Sequence, residues 1–264
     1  MVRSSIASVF IIILLSYILN QYSMWCITGS ILMGINHTLS EKNRFSINEN
    51  EVVPLSDHFN ISDYTQSNII GELIDERIQL RYLDRFLNDT QCDWLVNFGE
   101  TRYSESKLVL RNGTKITHPD RTSATAYSYK NETSMIWSIE QAAIEVLRIN
   151  YNQLEALQLV RYLSGQEIKP HYDYFTGDYR KKLNNQRQYT IFVYLNNVEN
   201  GGGTHFPRLN RTIQPRKGAA LWWHNCANIT QPYTDSLHAG LPPIGTNSVK
   251  YGLNIFSMYQ PVVH

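Results

Sequence analysis

Apolar and polar residues divide the chain into three regimes. The first is an almost unbroken apolar run from Ile6 to Leu19, interrupted only by Ser8, Ser16 and Tyr17 and preceded by Arg3. A membrane-spanning helix takes about 20 residues, so this run reaches span length only if the break Asn20–Ser23 is tolerated and Met24–Ile35 continues it. A basic residue ahead of an apolar run marks a signal-anchor or a signal peptide. No small-x-small cleavage pattern directly follows Leu19, which favours the uncleaved anchor. Residues 1–35 are therefore expected to be an N-terminal signal-anchor or signal segment. The second regime, 36–72, is rich in Asn, Ser, Glu and Asp and has no sustained period, the composition of a polar stem or linker.

The third regime, residues 73–264, carries the periodic patterns of a folded domain. Ile78, Leu80, Tyr82 and Leu83 suggest a strand. Asn88-Asp89-Thr90 suits a helix start, and Cys92 to Phe98 has the apolar spacing of a short helix. Arg111-Asn112-Gly113-Thr114 reads as a turn. Met135/Ile136, Ile139, Ala142/Ala143 and Val146/Leu147 recur at helical spacing and predict an amphipathic helix over 134–149. Beyond it the period shortens to two, with a strand from Leu157 to Leu163, a turn at Ser164-Gly165-Gln166 and an extended stretch through His171 to Phe175. Gly177 to Gln188 is polar and basic and reads as an exposed loop. Tyr189 to Leu195 is a continuous apolar run of strand length, the pattern of a strand buried on both faces. Gly201-Gly202-Gly203 makes a tight turn, and Thr204–Phe206, Ala219–Trp223 and Tyr251–Phe256 supply further short strands. Short strands with Gly/Pro turns after two helices predict a β-rich α+β fold. The expected form is a jelly roll, or double-stranded β-helix, with packing helices on one side.

Composition adds little to that picture. Seventeen Tyr, nine Phe and five Trp suit a β-rich core, and a formal net charge of +1 gives no electrostatic argument for a nucleic-acid partner. Three cysteines, Cys26, Cys92 and Cys226, are too few for a disulfide-built fold and lack zinc spacing. A Cys92–Cys226 disulfide and two unpaired buried thiols are both open. Acceptor sequons stand at Asn36, Asn60, Asn88, Asn112, Asn131, Asn210 and Asn228. An Asn-rich composition accounts for some of them. Together with the N-terminal segment they favour a folded part lying in the lumen of the endoplasmic reticulum, with secretion as the alternative.

The candidate chemistry lies in His171-Tyr172-Asp173. A His and an Asp two residues apart on an extended segment face the same way. A distant histidine such as His238 would complete two imidazoles and one carboxylate, the facial donor set of non-haem iron(II) oxygenases. By itself the H-x-D pair is a weak signal.

Its surroundings are more specific. From about Tyr82 to Gln260 the chain resembles the prolyl 4-hydroxylases among the 2-oxoglutarate- and iron(II)-dependent dioxygenases. The resemblance is carried first by Asp84-Arg85-Phe86-Leu87 with Cys92-Asp93, by Arg121-Thr122-Ser123, and by Leu157-Gln158 through Tyr162. Gly165-Gln166 and Pro170 through Phe175 follow in order, then Gln186-Arg187, Thr190 and Tyr194-Leu195-Asn196. Gly201-Gly202 with Thr204 and Phe206-Pro207, Lys217 through Leu221, and Asp235 through Gly240 complete it.

The resemblance implies His171, Asp173 and His238 as iron ligands, the last lying 238 − 171 = 67 residues after the first. It implies Lys250 as the cation for the distal carboxylate of 2-oxoglutarate, Tyr162 and Thr190 as further co-substrate contacts, and Arg187 as a substrate contact. Fe(II), 2-oxoglutarate, O2 and L-ascorbate are the expected cofactors, and a proline-containing peptide or protein is the expected substrate. The chain departs from the family pattern in a two-residue insertion at Thr246-Asn247-Ser248 ahead of Lys250. It also departs at Gly203, where the family has a glutamate, and at Ile255-Phe256, where lysine-tryptophan is common. The alternatives are a related oxygenase acting on another residue, against which Lys250 argues because the lysine-specific relatives use arginine there, and a catalytically silent jelly-roll binding module.

Overall fold

A computed structural model describes residues 71–262. The signal-anchor segment and all but the last two residues of the stem lie outside the described residues, as do Cys26 and the sequons at Asn36 and Asn60. Among the described residues no helix is long and apolar enough to cross a membrane. The first strand begins at Glu72, one residue ahead of the expected domain boundary.

In chain order the elements are β1 (Glu72–Asp75), β2 (Leu80–Leu83), α1 (Asp89–Glu100), β3 (Ser104–Glu105), β4 (Leu108–Val109), β5 (Lys115–Ile116), β6 (Ala124–Tyr127) and α2 (Ser134–Leu147). There follow β7 (Gln158–Leu163), β8 (Ile168–His171), α3 (Gly177–Leu183), β9 (Arg187–Tyr194), β10 (Thr204–Phe206), β11 (Arg211–Ile213) and β12 (Ala220–His224). β13 (Cys226–Asn228), β14 (Gln231–Pro232), β15 (His238–Gly240) and β16 (Val249–Met258) complete the chain. Eight strands form one sheet in the order β1-β2-β12-β9-β16-β7-β6-β3, and four form a second in the order β11-β10-β15-β8. This is the jelly roll the pattern predicted.

The apolar run at Tyr189–Leu195 explains how the layers meet. In β9, Ile191 and Val193 point to one face of the large sheet and pack with Leu95 of α1 and Ile136, Ile139 and Ala143 of α2. The alternating residues Phe192 and Tyr194 point to the other face, where they join Ile168 of β8, Phe206 of β10 and Trp223 of β12. A central strand buried on both faces needs a continuous apolar run rather than an alternating one. Ile168, Phe192 and Trp223 on this second face also line the cavity described below.

Both long helices start where polar caps allow. Asn88 accepts a hydrogen bond from the Gln91 N–H at 2.8 Å, and the Gln91 side chain accepts from the Asn88 N–H at 3.0 Å, a reciprocal capping box. Thr133 caps α2 through the Ile136 N–H. Asn88→Ala is expected to cost about 1 kcal/mol of stability, read as a lower urea midpoint at unchanged slope. Gly218, at φ +81°, joins α1 to the sheet. Its carbonyl accepts from the Phe86 and Leu87 N–H groups, and a Cβ there would stand 2.3 Å from the Leu87 carbonyl oxygen.

Two expectations change and one open choice closes. The exposed loop expected over Gly177–Gln188 contains α3 and the start of β9. Having no buried residue, α3 carries no apolar period for a sequence reading to detect, and it lies outside the helical layer formed by α1 and α2. The extended stretch through Phe175 ends at His171, with Asp173 in a bend beyond β8. Of the two open states for the cysteines, Cys92 and Cys226 are both free and buried, and burial pushes their thiols up to about 12 and about 11.

Candidate metal and co-substrate site

His171 is the last residue of β8, and His238 is the first of β15. The two strands are antiparallel and pair these histidines directly opposite each other. Their rings lie 4.4 Å apart between centroids. The bend after His171 turns Asp173 back toward both, with Oδ1 3.8 Å from His171 Nε2 and Oδ2 3.6 Å from His238 Nε2. One donor atom from each of the three residues falls within 4.8 Å of the others.

The hydrogen bonds around the histidines fix which nitrogen is free. His171 Nδ1 lies 2.9 Å from the Lys169 carbonyl oxygen, and His238 Nδ1 lies 2.9 Å from the Ser236 carbonyl oxygen. A carbonyl can only accept, so each Nδ1 carries a proton and leaves Nε2 as the nitrogen that faces the common point. Burial, with the His238 imidazole alongside, pushes His171 well down from its ordinary value, which keeps it neutral and able to ligate. For Asp173 burial opposes ionisation, but the two imidazoles, Arg187 and a hydrogen bond from Thr190 outweigh it and hold the carboxyl below the usual range. Two imidazoles and a carboxylate on one side of a point, with an open cavity beside them, suit a divalent transition metal that must still bind substrate.

That cavity measures about 730 Å³ and includes Tyr162, Phe192, Thr204, Trp223 and Lys250 in its lining. Lys250 of β16 stands opposite Tyr162 of β7 in the sheet register. Its side chain is 1 % exposed, and among the described residues its ammonium has no hydrogen-bond partner. The rings of Tyr162, Phe192 and Tyr194 surround it at 5.1–5.7 Å. Burial alone pushes its pKa down to about 7. A buried cation without a partner is costly, so this orphaned ammonium in the cavity wall is the observation that best fits a missing carboxylate. The insertion ahead of it is taken up in the turn at Thr246-Asn247, where Asn247 adopts φ 61°.

Thr190 requires a correction. Its hydroxyl does not line the cavity. It donates to Asp173 Oδ2 at 2.7 Å and accepts from Asn225 Nδ2 at 2.8 Å, while Asn225 Oδ1 accepts from the Trp223 indole N–H at 3.0 Å. The residue expected to touch the co-substrate instead orients the carboxylate through a buried polar chain. Thr190→Val keeps the shape, removes the donor and leaves the Asn225 amide short of an acceptor. It is expected to weaken iron binding roughly 10- to 100-fold, as measured by equilibrium titration of the purified protein. Unchanged affinity would show that Asp173 needs no such support.

Arg187 does line the cavity, but its guanidinium is engaged. Nε and Nη2 donate to the two carboxylate oxygens of Glu155 at 2.6 and 2.8 Å, and the group stacks 3.7 Å over the Phe256 ring. Glu155, Asn225 and Trp223 were not legible as site residues. None stands in a motif of its own, and each acquires its place only from the register of strands distant in sequence.

A jelly roll holding a His/Asp/His donor set beside a buried cavity lysine has the parts that the 2-oxoglutarate- and iron(II)-dependent oxygenase class requires. Residues 157–258 match the family model of the 2OG-Fe(II) oxygenase superfamily. Probable prolyl 4-hydroxylase 3 of Arabidopsis thaliana is 30% identical over 183 residues, 61% of this chain and 63% of the relative. A putative prolyl 4-hydroxylase of Acanthamoeba polyphaga mimivirus is 30% identical over 168 residues, 61% and 66% of the two chains. The viral collagen prolyl hydroxylase of Paramecium Bursaria Chlorella virus-1, solved as its 2OG complex, superposes with a TM-score of 0.53 at 27% identity. That match covers 71% of this chain and 99% of the viral one. The relatives it matches are prolyl 4-hydroxylases, and the chain is similar to them from its metal-directed residues through its last strand. It spans less than two thirds of the length of the curated relatives it matches first.

Proposed function

We propose that this protein hydroxylates peptidyl proline to 4-hydroxyproline, consuming 2-oxoglutarate and O2 and releasing succinate and CO2. The convergence of His171, Asp173 and His238 on one point, with the unpartnered Lys250 ammonium in the same cavity, carries the reading. Iron(II) held by the three side chains supplies the oxidative chemistry, with L-ascorbate keeping it reduced. The protein's own contribution is placement. His171 and His238 present their Nε2 atoms, and Thr190 holds the Asp173 carboxylate in orientation. Lys250 takes the distal carboxylate of 2-oxoglutarate, and the Tyr162, Phe192 and Tyr194 rings exclude water from that ion pair. Arg187, clamped by Glu155 on the cavity wall, meets the peptide.

The remainder of the reading comes from the sequence. The N-terminal segment holds the protein in the membrane of the endoplasmic reticulum with the catalytic domain in the lumen, and some of the sequons carry glycans. Asn88, Asn112, Asn131 and Asn210 are exposed, as such modification requires. The test is incubation of the purified protein with iron(II), labelled 2-oxoglutarate, ascorbate and proline-rich peptides. Succinate release with a +16 Da product on proline supports the function. Succinate release without that product refutes the substrate alone, and iron binding with no turnover of any peptide favours a silent binding module.

A further inference from the structure

The hairpin β4–β5 is strapped across the rim of the cavity and fastened at both ends. At its base, Ser106 Oγ is within hydrogen-bond distance of Ser123 Oγ (2.8 Å) and Thr125 Oγ1 (2.5 Å), and the Ser106 N–H donates to the Ser123 carbonyl. At its tip, the Arg111 carbonyl accepts from the Tyr179 N–H of α3 at 2.8 Å. Close packing accompanies that contact: a Cβ on Gly113 would stand 2.7 Å from the Tyr179 ring, and one on Gly177 2.9 Å from the Arg111 side chain. The strap and α3 therefore form one connected surface.

That surface is cationic in a chain that is not. Residues 104–116 contain Lys107, Arg111 and Lys115 against Glu105, and α3 contains Arg180, Lys181 and Lys182 against Asp178. The two segments thus hold six basic and two acidic residues, whereas the whole chain balances 24 Lys+Arg against 23 Asp+Glu. Only Lys181 has an acidic partner here, in an exposed pair with Asp178 at 3.4 Å, and Arg180 is engaged with the Ile229 carbonyl. Lys107, Arg111, Lys115 and Lys182 make no ion pair among the described residues, and all four are exposed. Lys107 and Lys115 line the same cavity as the three metal-directed side chains.

Resting on the proline-hydroxylase reading, we propose that this strap selects peptides carrying aspartate or glutamate close to the target proline, with Lys107 and Lys115 as the specificity-determining residues. A cavity of about 730 Å³ is roughly 11 Å across if treated as a sphere, and an extended peptide advances about 3.3 Å per residue. The acidic residue therefore stands within about three positions of the proline. Because the strap is fastened before the peptide arrives, the lysines offer their charge with little ordering of the backbone left to do.

The test uses three labelled peptides that share their prolines and differ only in flanking Asp, Ser or Lys. Their binding to the full iron(II)- and 2-oxoglutarate-loaded protein is measured by fluorescence anisotropy without oxygen. At low salt the Asp peptide is expected to bind about five- to tenfold more tightly than the Ser peptide, the size of two or three exposed pairs, and the advantage shrinks as salt rises. In the double variant Lys107→Glu/Lys115→Glu the preference is expected to reverse toward the Lys peptide. Equal binding of all three peptides, or an Asp preference untouched by the double variant, overturns the proposal. So does tighter binding of a single-stranded oligonucleotide of the same charge, which would mark a nucleic-acid surface. If the Asp preference is present but no peptide releases succinate when oxygen is admitted, the hydroxylase reading fails and the carboxylate-binding surface stands. If every peptide is hydroxylated and all bind alike, the hydroxylase reading stands and the surface fails.

Discussion

Asp173→Asn is expected to lower iron affinity by at least about 100-fold and to remove measurable succinate release, while leaving the fold in place. The substitution keeps the size of the side chain, and its amide oxygen still accepts from Thr190, whose hydroxyl is 2.7 Å from Oδ2 in the native protein. What it removes is the negative charge at the point where two imidazoles converge. Imidazoles alone provide no charge neutralisation for a divalent ion, and a lost ligand costs more than the 10- to 100-fold typical of a lost supporting contact. Iron content after dialysis, an equilibrium titration and an unfolding curve on the same preparation separate the outcomes. Wild-type iron affinity in the variant would sink the triad assignment, whereas lost affinity with a collapsed unfolding midpoint would point to a structural role.

Lys250→Met is expected to produce an uncommon combination, a more stable protein that no longer binds 2-oxoglutarate. The lysine pKa is lowered from its ordinary value to about 7 by burial. Between that value and about 10.4, the unfolded chain is protonated and the folded one is not, so unfolding takes up a proton and stability rises with pH. Below pH 7 both states are charged, and the cost of burying the ammonium is fully expressed. Methionine of similar length removes that cost, and the ligand-free variant should gain on the order of 1–4 kcal/mol near pH 6. It should also lose the rise in stability between pH 7 and 10. Added 2-oxoglutarate should raise the melting temperature of the wild type and leave the variant unchanged. A variant that is less stable and still stabilised by 2-oxoglutarate would remove Lys250 from the co-substrate site.

What could be read in advance follows the range of the forces involved. The doubly buried strand at Tyr189–Leu195 and the helix over Ser134–Leu147 announce themselves because their burial is written in a local period. The start of α1 is equally local, since Asn88 and Gln91 satisfy each other's backbone within three residues. Helix α3 is illegible for the opposite reason: seven residues with none buried leave no period to detect. The hydroxyl of Thr190 was assigned to the wrong partner because its direction depends on how β9 lies against the bend at Asp173, a contact spanning 17 residues. The place of Lys250 was read from the family motif, but the absence of any partner for it emerges only once Tyr162, Phe192 and Tyr194 close around it.

The pairing of His171 with His238 has a mechanical side. Strand β8 ends the four-stranded sheet and is held to β15 by a short ladder in which His238 faces His171 and Gly240 faces Ile168, with an irregularity between, while on its other side a single bridge joins Ile168 to Arg121 and the Lys169 N–H donates to the Asp120 carbonyl. A strand held by so few rungs on either side is a natural place for fraying. A divalent ion gripping the two facing imidazoles would act as a rivet through that ladder, fastening the margin of the sheet as it fills the reaction centre. Iron loading and the integrity of this edge then become one event. Amide exchange at Ile168, Lys169 and His171 should slow on metal addition well before any substrate is supplied, and chelation should first unzip the protein at this seam.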